Sequence, residues 1–181
     1  MKKYLKTALI LCAICGAAAL LLAVVNSLTA PKIAAYEEEQ KQAVLGAVSN
    51  GEAIGDFHSV SGVSNITGYY GLGKSSFILM LSTTGYGGEI TLAAAYDTNG
   101  KLTAAKVLSD SETPGLGKKS EESWYMDKFL GKSSNMPTKK TELSTEDAQA
   151  ISGASVTFTG ISKALLAGSS YVTSVLKGGK N

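Results

Sequence analysis

The stretch EITLAAAYDTNGKLTAAKVL, Glu89 to Leu108, decides the fold. Two strand-length apolar runs, Glu89 to Tyr96 and Lys101 to Leu108, flank DTNG, and Asn99-Gly100 is a favoured pair for a tight hairpin. The two runs are therefore expected to be antiparallel neighbours. Before them stands FILMLST, Phe77 to Thr83, a third strand-length segment set off by the turn-rich GYGG, and Tyr69 to Leu72 adds a further short strand. The centre of the chain is a small antiparallel sheet.

Outside this region the period changes. SEESWYMDKFL, Ser120 to Leu130, reads as a helix with Trp124, Met126 and Phe129 partly facing the sheet. Ser144 opens a short helical turn, with Asp147 three residues later as in a capping box. The last long element is expected to begin near Thr157 or Thr159 and to run to about Lys177. Ile161, Ala164, Leu165, Gly168, Val172, Val175 and Leu176 line one side of it. On the N-terminal side, Asn50 to Ser64 is polar and rich in Gly and Ser, which suits a linker or irregular loop. Lys32 to Val48 reads as a stalk helix, with Ile33, Tyr36, Gln40, Ala43, Val44 and Ala47 on one face and Glu37 spaced to pair with Lys41.

The N-terminus is of another kind. Thr7 to Leu28 contains no charged residue and follows Lys2, Lys3 and Lys6. As a helix it reaches about 33 Å, enough to cross a bilayer core. The basic cluster stays inside, so the N-terminus is expected in the cytoplasm and everything after Leu28 on the outer side. A cleaved signal peptide competes, since the small Ala30 precedes Pro31. Yet the run exceeds the roughly 7 to 15 residues of a signal core, and Leu28 is poor at the third position before a cut. A retained single-pass anchor is the better reading. Cys12 and Cys15 fall inside this span and read as small apolar residues in lipid. Leu11 and Ile14 disfavour lipoprotein attachment. The exported part has no cysteine, so its core and not disulfides must hold it.

The expected organisation is a cytoplasmic tip and transmembrane anchor over residues 1–30, a stalk helix and linker over 31–66, and an extracytoplasmic domain over 67–181. The fold class is α+β: one N-terminal transmembrane helix, then a small antiparallel sheet packed by helices. A length of 181 residues, 44% hydrophobic and 18% charged, bounds this to one modest domain plus the anchor. The net charge of +2 comes from 17 basic and 15 acidic residues without a basic stripe interleaved with aromatics, so no nucleic acid partner is expected. His58 is the only histidine and reads as a surface residue, which leaves a histidine metal set or a Ser-His-Asp triad without its parts. GYYGLG, Gly68 to Gly73, lacks nucleotide-loop spacing. Neither a metal site nor a catalytic acid or base is expected.

Two stretches remain. In SETPGLGKK, Ser111 to Lys119, Pro114 fixes its own φ and biases Thr113 to an extended form, while Gly115 and Gly117 open conformations closed to other residues. Leu116 is thereby displayed on a loop. In SGASVTFTG, Ser152 to Gly160, four hydroxyls crowd one turn. They suit a helix start, where Ser and Thr accept bonds from bare N–H groups, or a place where a hydroxyl does chemistry.

ETPGLG at Glu112 to Gly117, the aromatic segment SWYMDKFLGK after it, GYGGEI at Gly85 to Ile90 and SGAS at Ser152 to Ser155 stand in that company behind one membrane span. In this the chain resembles the G subunit of the Rnf electron-transport complex, over nearly its whole length. The C subunit of the sodium-pumping NADH:quinone reductase shares the same FMN-binding domain. The resemblance implies a covalent flavin: a flavin transferase uses FAD to attach FMN through a phosphoester to the hydroxyl that ends the box, here Ser155. It places Ser152, Gly153, Ala154 and Thr157 around the phosphate at a helix N-terminus, and Glu112, Thr113, Gly115, Leu116 and Gly117 as the loop against the isoalloxazine. Ser155 stands where Thr is usual, Gln149 where many relatives have Asp, and Asp110 where many have His. The implied role is a membrane-anchored electron carrier in an ion-translocating ferredoxin:NAD oxidoreductase, with other membrane subunits, the transferase and the bilayer as partners. Two other readings remain: a flavin-free membrane-tethered binding or assembly module, and a stand-alone flavinylated protein of extracellular electron transfer.

Overall fold

The computed structural model describes residues 2–177. Residues 178–181, the end of the domain expected over 67–181, and the side chains of Lys2 and Lys3 in the basic cluster lie outside the described residues.

Five strands form one antiparallel sheet in chain order: β1 Ile54–Ser59, β2 Ile66–Leu72, β3 Ser76–Thr84, β4 Glu89–Asp97 and β5 Leu102–Ser109. With the helices this is the expected α+β fold. β1 is new, since it lies within the segment expected as linker. Its sequence IGDFHS buries no residue fully and alternates too weakly to be read as a strand; pairing with β2 creates it.

The β4–β5 turn is also built differently from a two-residue hairpin. Gly100 N–H donates to the Asp97 carbonyl at 3.0 Å, and Asp97 N–H to the Lys101 carbonyl at 3.0 Å. Asp97 Oδ1 accepts from the N–H groups of Asn99 (2.8 Å) and Lys101 (2.9 Å). Only Gly100 in this turn takes a positive φ, +71°. The register then shifts between Ala95 and Tyr96. This is the longer turn ending in a left-handed glycine and a bulge, and the glycine of Asn-Gly serves it alone.

β3 and β4 are buried on both faces, which explains why they read as apolar runs and not as clean alternation. One face presents Phe77, Leu79, Leu81, Leu92, Ala94 and Tyr96 to the main core. Phe158, Ile161, Ala164, Leu165 and Val172 fill the other side of that core. They come from α4, Ser155–Tyr171, and from the single π turn Val172–Leu176 that continues it. The helix therefore starts at Ser155, ahead of the expected Thr157 or Thr159. The opposite face presents Ile78, Met80, Ala93 and Ala95 to Val44, Leu45 and Val48.

Those three residues belong to α1, a helix assigned over Lys2–Ser49 with Pro31 inside it. The segment expected as a separate stalk is its C-terminal part. The residues it buries are Val44, Leu45 and Val48, and not the stripe through Ile33 and Tyr36, which are exposed. Lys41 pairs with Glu38 at 3.5 Å, in place of the expected Glu37. Packing divides the chain into residues up to Lys41 and a compact unit that begins at Gln42, ahead of the expected domain start at 67. Considered by itself, the first unit is a helix long and apolar enough to cross a membrane.

After β5 the helical content is shorter than the sequence pattern promises. Ser120 to Leu130 holds the end of a 3-10 turn, Gly117–Glu121, and one helical turn, α2 Ser123–Met126. Tyr125 and Phe129 are nonetheless fully buried, meeting Phe158 at 6.4 and 5.4 Å between ring centroids. α3, Thr145–Ala150, is capped as expected: Ser144 Oγ accepts from Asp147 N–H at 3.1 Å.

Candidate functional site

The site begins with a turn. Thr113-Pro114-Gly115-Leu116 closes with Leu116 N–H donating to the Thr113 carbonyl at 3.1 Å, with Pro114 second and Gly115 third at φ +75°. Pro then Gly with positive φ is the chemistry of a type II turn, as the sequence implies. Thr113 and Leu116 are exposed on it. Gly117 has no positive φ, and its role is room: a Cβ there would lie 2.1 Å from Glu112 Oε2.

Glu112 does not face out with its loop. It is buried, 3% exposed. Oε1 accepts from Gly87 N–H at 2.8 Å, and Oε2 accepts from Thr157 Oγ1 at 2.5 Å. Its own N–H donates to Asp110 Oδ1 at 2.8 Å, and that oxygen also meets Lys118 Nζ at 3.2 Å. Lys118 in turn bonds Glu121 at 2.6 Å; Glu121 first, and then Asp110, hold its ammonium above the ordinary lysine range. The phenol of Tyr125 is pushed well up by burial and, second, by the charge of Glu112.

The SGAS box lies beside this loop. Gly153 takes φ +86°, and a Cβ there would lie 2.9 Å from Leu116 Cδ2, so the loop's apolar tip rests on the box. Ala154 is the N-cap of α4 and is buried; no side-chain oxygen caps the helix. Ser155 is the first helical residue and is exposed. A helix start without a hydroxyl cap leaves N–H groups and the positive end of the dipole open to an anion. Ser152 is exposed, and its hydroxyl accepts from Lys140 Nζ at 3.2 Å. Thr157 is fully buried and directs its hydroxyl to Glu112. An open groove of about 540 Å3 runs on from Ser155 between Asn65, Thr84, Thr159 and Lys163.

The structure thus brings Ser152, Gly153, Ala154, Ser155, Thr113, Gly115, Leu116 and Gly117 to one place. Glu112 and Thr157 lie beneath them, joined to each other. The sequence pattern does not single out Lys140, nor Lys119, whose Nζ donates to the Ala150 carbonyl at 3.1 Å. Nor does it mark Gly85 and Gly87 as parts of the site. Among the described residues no cluster of metal-ligating side chains occurs.

Residues 85–168, which hold all three of these motifs, match the FMN-binding domain family, and residues 1–48 match the RnfG N-terminal region. The chain belongs to the RnfG family. Among its relatives, the G subunit of a proton-translocating ferredoxin:NAD(+) oxidoreductase complex from Clostridium ljungdahlii is 27% identical over 92% of this chain and 89% of its own length. The G subunit of a Na(+)-translocating ferredoxin:NAD(+) oxidoreductase complex from Acetobacterium woodii is 28% identical over 92% of this chain and 88% of its own. A shorter match, 34% identical over 51% of this chain and 46% of the relative, is to the G subunit of an ion-translocating oxidoreductase complex of Vibrio parahaemolyticus. The family's FMN-binding domain fits the local chemistry: an exposed hydroxyl on an uncapped helix start, with lysines alongside.

Proposed function

We propose that the chain is a membrane-anchored flavoprotein subunit that carries FMN covalently on Ser155 and passes electrons within an ion-translocating ferredoxin:NAD oxidoreductase complex. The observation that carries this reading is Ser155 itself, exposed at the bare N-terminus of α4 and flanked by the Thr113–Gly117 turn. The relatives' names supply the complex.

In attachment, Ser155 Oγ forms the bond to the FMN phosphorus of FAD as the bond from that phosphorus to AMP breaks, and the serine proton is released. Flavin transferase catalyses this exchange. The phosphate of the ester then lies at the end of the α4 dipole, within reach of the Ser155 and Val156 N–H groups, with Ser152 and Lys140 as further donors. Gly153 and Ala154 leave space for it. Leu116 and Thr113 give the ring an apolar and a polar neighbour, and Gly115 permits the tight turn that presents them. The bound flavin supplies one- or two-electron transfer. No residue of the chain is required as a general acid or base. The N-terminal helix anchors the subunit in a single pass, with its basic end cytoplasmic and residues 67–181 on the outer side, where they meet the neighbouring membrane subunits.

The experiment is co-expression of the full chain with a flavin transferase. Wild-type protein is expected to give a flavin-fluorescent band after denaturing electrophoresis, and Ser155→Ala none. A fluorescent Ser155→Ala band would overturn the assignment.

A further inference from the structure

Three sequence segments far apart in the chain converge on one buried carboxylate. Gly87 belongs to the β3–β4 turn, 25 residues before Glu112, and Thr157 to the first turn of α4, 45 residues after it. Each oxygen of Glu112 takes one donor: Oε1 the Gly87 N–H, Oε2 the Thr157 hydroxyl. The surroundings are cut to fit. A Cβ at Gly85 would lie 2.2 Å from Oε1, one at Gly117 2.1 Å from Oε2, and one at Gly87 2.1 Å from the Ser111 carbonyl oxygen. The glycines of GYGG and the last glycine of ETPGLG therefore make room for the same side chain and its loop. A buried carboxylate held by only two donors fixes both of them firmly, because losing either leaves charge without a partner.

We infer that Glu112 is a positioning residue: it registers the Thr113–Gly117 turn on the N-terminus of α4 and so assembles the attachment site before any flavin arrives. Thr157 stands two residues after Ser155 on the same helical turn, so holding its hydroxyl fixes the position of Ser155 and the direction of the bare N–H groups. The backbone of Glu112 leads directly into the turn that rests Leu116 on Gly153. The SGAS box alone is then not a sufficient acceptor. It becomes one through a carboxylate that never touches the flavin. The flavin part of this inference rests on the function proposed above, and the ordering of the two segments does not.

The test uses the full chain in detergent with two independent measurements. Flavin per chain is measured after co-expression with transferase, and hydrogen exchange is measured on chain expressed without it. Thr157→Val and Glu112→Ala are expected to slow loading roughly tenfold to a hundredfold, as small misplacements of a reacting group do. Thr157→Ser, which keeps the donor, restores wild-type loading. Glu112→Gln, which keeps one acceptor and offers a new donor, falls between wild type and Glu112→Ala. In the flavin-free chain, Thr157→Val raises exchange in residues 113–118 as well as in 155–158, although it alters only the helix. Wild-type loading in Thr157→Val, or increased exchange confined to 155–158, overturns the inference. If Glu112→Ala does not fold, Thr157→Val and its serine rescue decide alone. If the wild type takes no flavin, the proposed function fails while exchange still decides the positioning role.

Discussion

The two ends of α4 solve the same problem in opposite ways. At the C-terminal end, Ser169 Oγ donates to the Gly100 carbonyl at 2.6 Å and Tyr96 Oη to the Leu165 carbonyl at 2.8 Å, so the helix closes onto the β4–β5 turn with neutral, buried bonds. At the N-terminal end, Thr157 donates to the charged Glu112, the cap position is an alanine, and Ser155 faces solvent. Each end ties a helix hydroxyl to a turn of the sheet or its loops. Only the N-terminal end leaves backbone donors bare. A helix end left unsatisfied costs stability and gains binding capacity, and here the chain concentrates that cost where an anion is to be held.

Substitutions break this comparison in a definite order of size. Phe158 lies one turn in from the open end, fully buried and stacked on Phe129. Phe158→Ala should destabilise the domain by about 3–5 kcal/mol, read from urea unfolding of the full chain in detergent. A cost below about 1 kcal/mol would mean that the open end is not anchored by the core. At the closed end, a Cβ on Gly168 would lie 2.6 Å from Tyr96 Oη. Gly168→Ala should therefore cost about 1–3 kcal/mol through overpacking and leave flavin loading of the folded protein unchanged. Ser169→Ala should cost about 1 kcal/mol, again without loss of flavin. Thr157→Val makes a similar small change in hydroxyl count and should abolish most loading. Equal flavin content in the Ser169 and Thr157 variants would erase the distinction between the two ends.

The smallest effect is electrostatic and concerns α3, which leads into the box. Asp147 meets Lys128 Nζ at 2.9 Å, and Lys128, then Ser144, hold its carboxyl below the ordinary value of 3.8. A lowered folded-state value means stability that is present above the unfolded value and lost as pH falls through the folded one. Unfolding of the wild type should therefore become easier between about pH 5 and about pH 3 by more than that of Asp147→Asn. Parallel acid limbs for the two proteins would remove Asp147 as a contributor.

The strands β3, β4 and β5 are legible in the sequence because burial on both faces of β3 and β4 leaves uninterrupted apolar runs between turn residues. β1 is not, since Asp56, Phe57 and His58 are exposed and their order comes from pairing with β2 and not from their own pattern. Trp124, Met126 and Phe129 have helical spacing, yet the segment forms only one helical turn, because core contacts and not helix propensity place its rings. Hydroxyls at Thr157 and Thr159 promise a cap and so a helix start there. The chain instead starts the helix at Ser155 behind an alanine and spends Thr157 on Glu112. The attachment box and the ETPGLG turn can be read locally from Pro, Gly and hydroxyl placement. The bond from Glu112 to Thr157 cannot, since nothing in either segment records a partner 45 residues away.

Covalent flavin on Ser155 is tested most directly by peptide mass analysis of the full chain co-expressed with a flavin transferase. The peptide containing SGAS should gain the mass of one FMN less one water, with fragmentation placing it on Ser155. An unmodified Ser155, or the same gain on Ser152, Thr157 or Thr159, would contradict the assignment.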